Sequence, residues 1–246
     1  MRSSWRRISV PRKRSPSLRY GDGTSWNIHG DSIAWVSSLH HSINGVIKGD
    51  PERYEDFSTI TRNSLQHALA ESGEQLADSD ITSLMKAYDS LSTFPDVDHA
   101  LKRIASDPAI QAVVFSNGTK EMVSNSVLRS QDLSPHASIF QDLITVDDVK
   151  KYKPSRESYL HLAHKVGKQL AQMNEMWLIS GNPFDIVGAR GMGMNAIWVD
   201  RAGKGWQDAA VPEIQPTAIV HSLEHIVDEI NGQRRLGDRS TFEGLD

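Results

Sequence analysis

The run from Met176 to Gly188 constrains the chain most. Four apolar residues, Met176 to Ile179, stop abruptly at Ser180-Gly181-Asn182-Pro183-Phe184-Asp185, and apolar spacing resumes from Ile186. A short apolar run bounded by turn residues and followed by helical spacing predicts a buried strand, a polar turn and a helix starting near Ile186. At the carboxyl end of a parallel strand such a turn sits where open α/β sheets bind ligands, and free amides at the helix start favour an anion. Ser180, Asn182 and Asp185 are therefore candidate site residues. A plainer role is also open to them: Ser180 and Asp185 capping the helix, and Asn182 shaping the turn.

The same rhythm recurs throughout the second half. Ala112–Phe115 predicts a strand ending in Ser116-Asn117-Gly118, followed by a helix over Thr119–Leu133. Leu143–Val146 predicts a second strand, leading through a polar loop, 147–154, into a helix over Arg156–Val166. Ala196–Val199 and Pro216–Val220 predict the last two strands, and Leu223–Ile230 a closing helix. Repeated βα units call for a parallel sheet with helices on both faces. Successive loops at strand carboxyl ends then carry Ser116 and Asn117, Lys153, and Ser180, Asn182 and Asp185. In a parallel sheet they emerge on one edge. Taken singly, Ser116 and Asn117 read as a cap and turn, and Lys153 as a solvated lysine. Taken together, they place fixed donors and a positive charge where an anionic transition state needs them.

Residues 31–106 follow a different pattern. Asp31 or Ser32 is placed to cap a helix carrying Ile33, Trp35, Val36, Leu39 and Ile43, and Tyr54 to Leu69 marks a second helix ended by Gly73. Ile81 to Tyr88 and Val97 to Ile104 mark two more. An all-helical block ahead of alternating βα units reads as a capping subdomain. The expected organisation is a basic segment at 1–30, a helical cap at 31–106, an α/β core at 107–231 and a frayed polar tail at 232–246.

Composition narrows the chemistry. The chain has no cysteine. Disulfides, thiolate metal sites and a cysteine nucleophile are thereby excluded, leaving Asp, Ser, Asn, Lys or His to act. No apolar run approaches the ~18 residues a membrane span needs. The first twenty residues carry seven basic side chains and no acid, against 27 basic and 31 acidic residues overall. This Arg- and Ser-rich start reads as a solvated tail, a partner or nucleic-acid arm, or an organelle transit peptide; otherwise a cytoplasmic location is expected.

Three of these motifs carry a resemblance. Phe115-Ser116-Asn117-Gly118, Tyr152-Lys153-Pro154 with Tyr159 beyond it, and Ser180-Gly181-Asn182-Pro183-Phe184-Asp185 resemble the second, third and fourth motifs of the haloacid dehalogenase superfamily. More narrowly they resemble the L-2-haloacid dehalogenases. Arg53-Tyr54-Glu55-Asp56-Phe57, Thr61-Arg62, Ala87-Tyr88 and Phe94-Pro95-Asp96 resemble that family's helical cap. The resemblance implies a Rossmann-like α/β/α core with an inserted cap. It also implies a hydrolase in which an aspartate displaces halide from C2 of a 2-haloalkanoic acid, forming an ester that water cleaves.

Position by position, the resemblance has Ser116 and Asn117 holding the substrate carboxylate and the nucleophile, and Lys153 keeping the nucleophile ionised. Ser180 and Asn182 would orient substrate and water, Asp185 would pair with Lys153 and help activate that water, and Phe184 and Tyr159 would line the substrate pocket. It implies a small 2-halo carboxylic acid as partner, no cofactor, no metal, no nucleic acid and no membrane, with a homodimer allowed. The first motif departs from the pattern. Its nucleophilic aspartate falls on Tyr20, three residues before Gly23-Thr24, and Asp22 stands two residues off register. Lys48 is the nearest candidate for the halide-binding cation. Two classes follow: an impaired dehalogenase-type hydrolase, or a catalytically silent homologue that binds a small carboxylate or a partner protein.

Overall fold

Short apolar runs between turn residues form the strands, and each run after residue 107 becomes a parallel one. The computed structural model describes residues 18–19, 25–26, 54–88 and 92–242, with side chains over 54–87 and 92–235. The 31–43 helix, Tyr20, Asp22, Lys48 and Arg53 lie outside the described residues. In chain order the elements are an antiparallel pair, β1 (Leu18–Arg19) and β2 (Ser25–Trp26), then helices α1 (Phe57–Ser72), α2 (Asp78–Tyr88) and α3 (Val97–Ser106). They are followed by β3 (Ala112–Ser116), α4 (Lys120–Ser124), β4 (Phe140–Thr145) and α5 (Arg156–Lys165). The chain closes with β5 (Trp177–Ser180), α6 (Pro183–Gly191), β6 (Asn195–Val199), β7 (Ala218–Val220) and α7 (Ile226–Phe242).

β3 pairs in parallel with β4, and β5, β6 and β7 form a second parallel ladder with Leu178 opposite Ala196 and Trp198 opposite Ile219. Among the described residues no ladder joins β3 to β5. The two sheets nevertheless share their cores. Val113 and Phe115 of β3 pack with Leu178 of β5 against Tyr159, Leu162, Ile186, Ala189 and Met194. Trp177 and Ile179 point the other way, into Ile197, Val199, Val220, Ile226 and Ile230, with Ile104 and Ile110 beside them. Alternation along β5 thus feeds two apolar layers, each covered by helices, as a parallel sheet requires.

Local chemistry sets the helix ends. Asp56 caps α1 by accepting from the Thr59 amide at 3.0 Å, and Gly73, with φ 74°, ends it. Thr119 caps α4. The single helix expected over Thr119–Leu133 is shorter: α4 stops at Ser124, a π-helical turn covers Asn125–Arg129, and the buried Ser130 hydroxyl accepts from the Leu133 amide. A serine that bonds to local backbone offers the chain an alternative to the helical ladder. Helix α6 begins at Pro183, not Ile186, because proline fits the first helical turn.

Two boundaries differ from expectation. Helix α3, read from sequence with the helical block, makes its main contacts on the α/β elements. Arg103 grips Asp228 of α7 at 2.6 and 2.9 Å, Asp98 meets His136 at 3.0 Å, and Ile104 joins the second core layer. The polar tail is not frayed from 232: α7 runs to Phe242, fastened where Arg234 donates to the Ala109 carbonyl and Asn231 to Asp107. Among the described residues no helix is long and apolar enough to cross a membrane.

Asp96 pins the entry to α3. Its carboxylate accepts from the Leu223 amide at 2.9 Å and from Arg201 at 3.1 and 3.2 Å. Burial alone would raise its pKa, but the Leu223 amide and the Arg201 guanidinium outweigh it and hold the carboxyl below the usual range. A depressed folded-state pKa contributes stability that is present above the unfolded value of about 4 and is lost as pH falls through the folded value. Asp96→Ala is therefore expected to cost about 1.5–3 kcal/mol at pH 7 by urea denaturation, with the gap to the parent narrowing below pH 4. An equal gap at pH 7 and pH 3 would contradict the assignment.

Candidate active site

Three loops leave the carboxyl ends of β3, β4 and β5, and their side chains meet around one buried ion pair. Lys153 and Asp185 are 8 % and 4 % exposed, and the Lys153 ammonium lies 3.1 Å from Asp185 Oδ1. That contact is ionic; it lies off the hydrogen-bonding directions, so Oδ1 is buried without a hydrogen-bond partner among the described residues. Oδ2 accepts from the Ser180 hydroxyl at 2.9 Å. The ammonium also donates to the Phe115 carbonyl at 3.1 Å and stands 4.7 Å over the Phe115 ring. Removing two charges from water costs several kcal/mol per ion, so a pair this buried persists only with such added partners.

The backbone around the pair is held as firmly. Asn117 Oδ1 accepts from the Lys153 amide at 2.9 Å, tying the β3 loop to the loop that carries the lysine. Ser116 Oγ accepts from the Gly118 amide, and Ser180 Oγ from the Asn182 amide, both at 3.0 Å. Each serine thus folds its own turn, and Ser180 also bonds Asp185. Asn182 and Phe184 are exposed at the start of α6, and the Asn182 side chain makes no capping bond, which leaves both facing solvent.

The structure brings Asn117, Lys153, Ser180 and Asp185 into contact, while the Ser116 hydroxyl bonds within its own turn. It corrects the role expected of Tyr159. That side chain is 0 % exposed, packs edge-on against Phe115, and donates its hydroxyl to the Asp185 backbone carbonyl at 3.2 Å. Burial, reinforced by the Asp185 charge, pushes its phenol pKa well up. Tyr159 shapes the floor beneath Asp185 and does not face a ligand. The role of Asn117 is narrowed as well: its amide oxygen is committed to the Lys153 backbone, leaving the Nδ2 group for a substrate.

Two further features shape the site without being singled out by the sequence pattern. Gly188 leaves the space Tyr159 fills: a Cβ there would sit 2.2 Å from the Tyr159 hydroxyl and 2.6 Å from its ring. A glycine inside a helical pattern, about one turn past Asp185, is the signal that points to it. The second is a clasp on the loop before Lys153. Tyr54 donates to Asp147 at 2.6 Å and stacks on Tyr152, ring centroids 5.2 Å apart, while Tyr152 donates to the Glu55 carbonyl. This fastens the approach to α1 directly to the lysine loop.

Both the pair and its floor can be tested by stability. Lys153→Met strands a buried carboxylate and is expected to cost about 3–5 kcal/mol at pH 7, much of it recovered in Lys153→Met/Asp185→Leu. A loss below about 1 kcal/mol in urea denaturation would mean that the pair is solvated after all. Gly188→Ala is expected to cost about 1–3 kcal/mol through overpacking against Tyr159. An unchanged unfolding midpoint would show that the floor yields freely.

Comparison with known proteins agrees with this geometry. A model of the haloacid dehalogenase-like hydrolase family matches residues 19–193. Among curated proteins, (S)-2-haloacid dehalogenase 4A of Burkholderia cepacia is 29% identical over 72% of this chain and 69% of its own length. (S)-2-haloacid dehalogenase 1 of Pseudomonas sp. (strain CBS-3) is 30% identical over 71% of this chain and 74% of its own. A crystal structure of an L-2-haloacid dehalogenase superposes with a TM-score of 0.72 at 21% identity, covering 82% of this chain and 87% of the other, which shows the shared fold. The chain belongs to the haloacid dehalogenase-like hydrolase family and is of the L-2-haloacid dehalogenase type.

Proposed function

We propose that the cleft around Lys153 binds a small 2-halo carboxylic acid and that the chain turns it over weakly or not at all. The relatives named above are dehalogenases of such acids. The observation that carries the reading is the buried Lys153–Asp185 pair, bonded by the Ser180 hydroxyl and held through Asn117 on the lysine backbone. In this reading Ser116 and the Asn117 Nδ2 group hold the substrate carboxylate, while Asn182 and Phe184 lie along the substrate. Asp185, paired with Lys153 through Oδ1 and with Ser180 through Oδ2, is the carboxylate that would orient and polarise a water in this reading. The family's ester chemistry needs a second carboxylate beside Lys153. Among the described residues, Asp185 is the carboxylate paired with that lysine.

The register of the first motif puts Tyr20 where the nucleophile belongs, and the family match opens only one residue earlier. Loss of a nucleophile leaves an enzyme the part of its rate due to binding and electrostatics, about 10³–10⁴ over water in the best-studied hydrolase. A second reading, favoured by Tyr20, is a silent homologue that binds a small carboxylate or a partner protein. No three-carboxylate or histidine group able to hold a metal ion occurs among the described residues, and the Asp185 carboxylate is already engaged by an ammonium and a hydroxyl.

Chloride release from L-2-chloropropionate by the purified chain tests this. The expected result is release near background, with calorimetric binding of the acid that is lost in Lys153→Met. Release that is fast and abolished by Asp22→Asn would make Asp22 the nucleophile and end the claim of impairment. Fast release untouched by Asp22→Asn would show that another residue attacks.

A further inference from the structure

The loop that delivers Lys153 bends at a residue whose backbone does not suit its side chain. After β4 the chain makes a 3₁₀ turn over Val146–Asp148, and the Val149 and Lys150 amides both donate to the Val146 carbonyl, at 3.1 and 2.9 Å. Lys150 ends this turn with φ 54°, and among the described residues no other residue except glycine has a positive φ. A left-handed residue just past a helical turn is normally glycine, because a Cβ there crowds the following carbonyl. Lysine holds the conformation against its own preference, so a contact elsewhere must offset the strain. That contact is with Tyr54: the exposed Lys150 side chain carries its ammonium 4.7 Å over the Tyr54 ring. The same ring stacks on Tyr152, and its hydroxyl donates to Asp147. Tyr54 thus grips the loop before, at and after the left-handed residue.

We propose that Lys150 is a positioning residue for Lys153, latching the loop onto Tyr54 so that the Lys153 ammonium is delivered to Asp185. The proposal rests on the reading of the Lys153 cleft given above. Tyr152 and Lys153 are neighbours in the chain and both buried, yet they serve different partners. Tyr152 packs with Phe57 and Ile60 of α1, while Lys153 bonds the Phe115 carbonyl and meets Asp185. The Lys153 amide is already fixed to Asn117 on the cleft side. What remains to be set is the direction from which the chain arrives, and the turn closed by Lys150 sets it. A residue that merely closed the turn would be served best by glycine; a latch needs a cation over the ring.

That difference is measurable on the whole chain. Ammonium protons of a buried, ion-paired lysine exchange slowly with water, so Lys153 should give its own ¹H–¹⁵N signal, assigned by its absence in Lys153→Met. Lys150→Gly relieves the backbone and keeps the fold, yet is expected to speed exchange of the Lys153 ammonium about fivefold, as is Tyr54→Leu. Lys150→Arg keeps a cation over the ring and should stay within about twofold of the parent. Exchange in Lys150→Gly as slow as in the parent would overturn the proposal by reducing Lys150 to a turn residue. Lys150→Arg exchanging as fast as Lys150→Gly, or no slow Lys153 signal in the parent, would overturn it too. The readout requires no acid, so a failure of 2-chloropropionate to bind would end the functional reading without altering these exchange rates.

Discussion

The Lys153–Asp185 ion pair is the interaction on which the rest of the structure depends. Two charges held out of water must be answered by fixed partners, and those partners come from the carboxyl ends of β3 and β5. The Phe115 carbonyl belongs to β3, the Ser180 hydroxyl to β5, and the Asn117 amide oxygen fixes the lysine backbone. Each loop is therefore placed by what the pair needs as much as by its own turn chemistry. The same partners give the site its chemical character: a buried cation and a carboxylate held at fixed positions by strand-end groups.

Packing supports this arrangement from beneath and above. Tyr159, made possible by Gly188, wedges under Asp185 and against Phe115, so the floor of the cleft is set by a close fit between α5 and α6. Above, Phe57 and Ile60 of α1 pack with Val146 and Tyr152, and the Tyr54–Asp147 bond holds the approach to α1 on the same loop. Burial pushes the Tyr54 and Tyr152 phenols upward, so both stay neutral donors across the working range of pH. The helical block and the lysine are thus mechanically linked. A shift of α1 would be felt at Lys153 through two tyrosines.

Much of this is legible in the order of the residues alone. The apolar runs at 112–115, 143–146, 176–179 and 196–199 have the length and flanking turns of buried parallel strands, and each overlaps the strand that forms there. Lys153, Ser180 and Asp185 converge because parallel topology sends their loops to one edge, a consequence of chain connectivity. What stays hidden in the sequence depends on tertiary contacts. Burial of Tyr159 is decided by a missing side chain at Gly188, and the attachment of α3 to the core by Arg103 reaching an aspartate on a distant helix. The break in the Thr119–Leu133 helix turns on one serine hydroxyl competing with the backbone, a contest that periodicity does not register.

The family supplies a nucleophile from a strand before its first turn, and this chain places a tyrosine at that register. On the reading proposed above, such a site should bind the acid without forming the ester. Intact-protein mass spectrometry after incubation with L-2-chloropropionate tests that most directly, because an ester intermediate adds the acid's carbon skeleton to the chain. The account predicts an unmodified mass at every time point. A 1-carboxyethyl ester, formed with loss of chloride and mapped to any aspartate or glutamate of the chain, would contradict it.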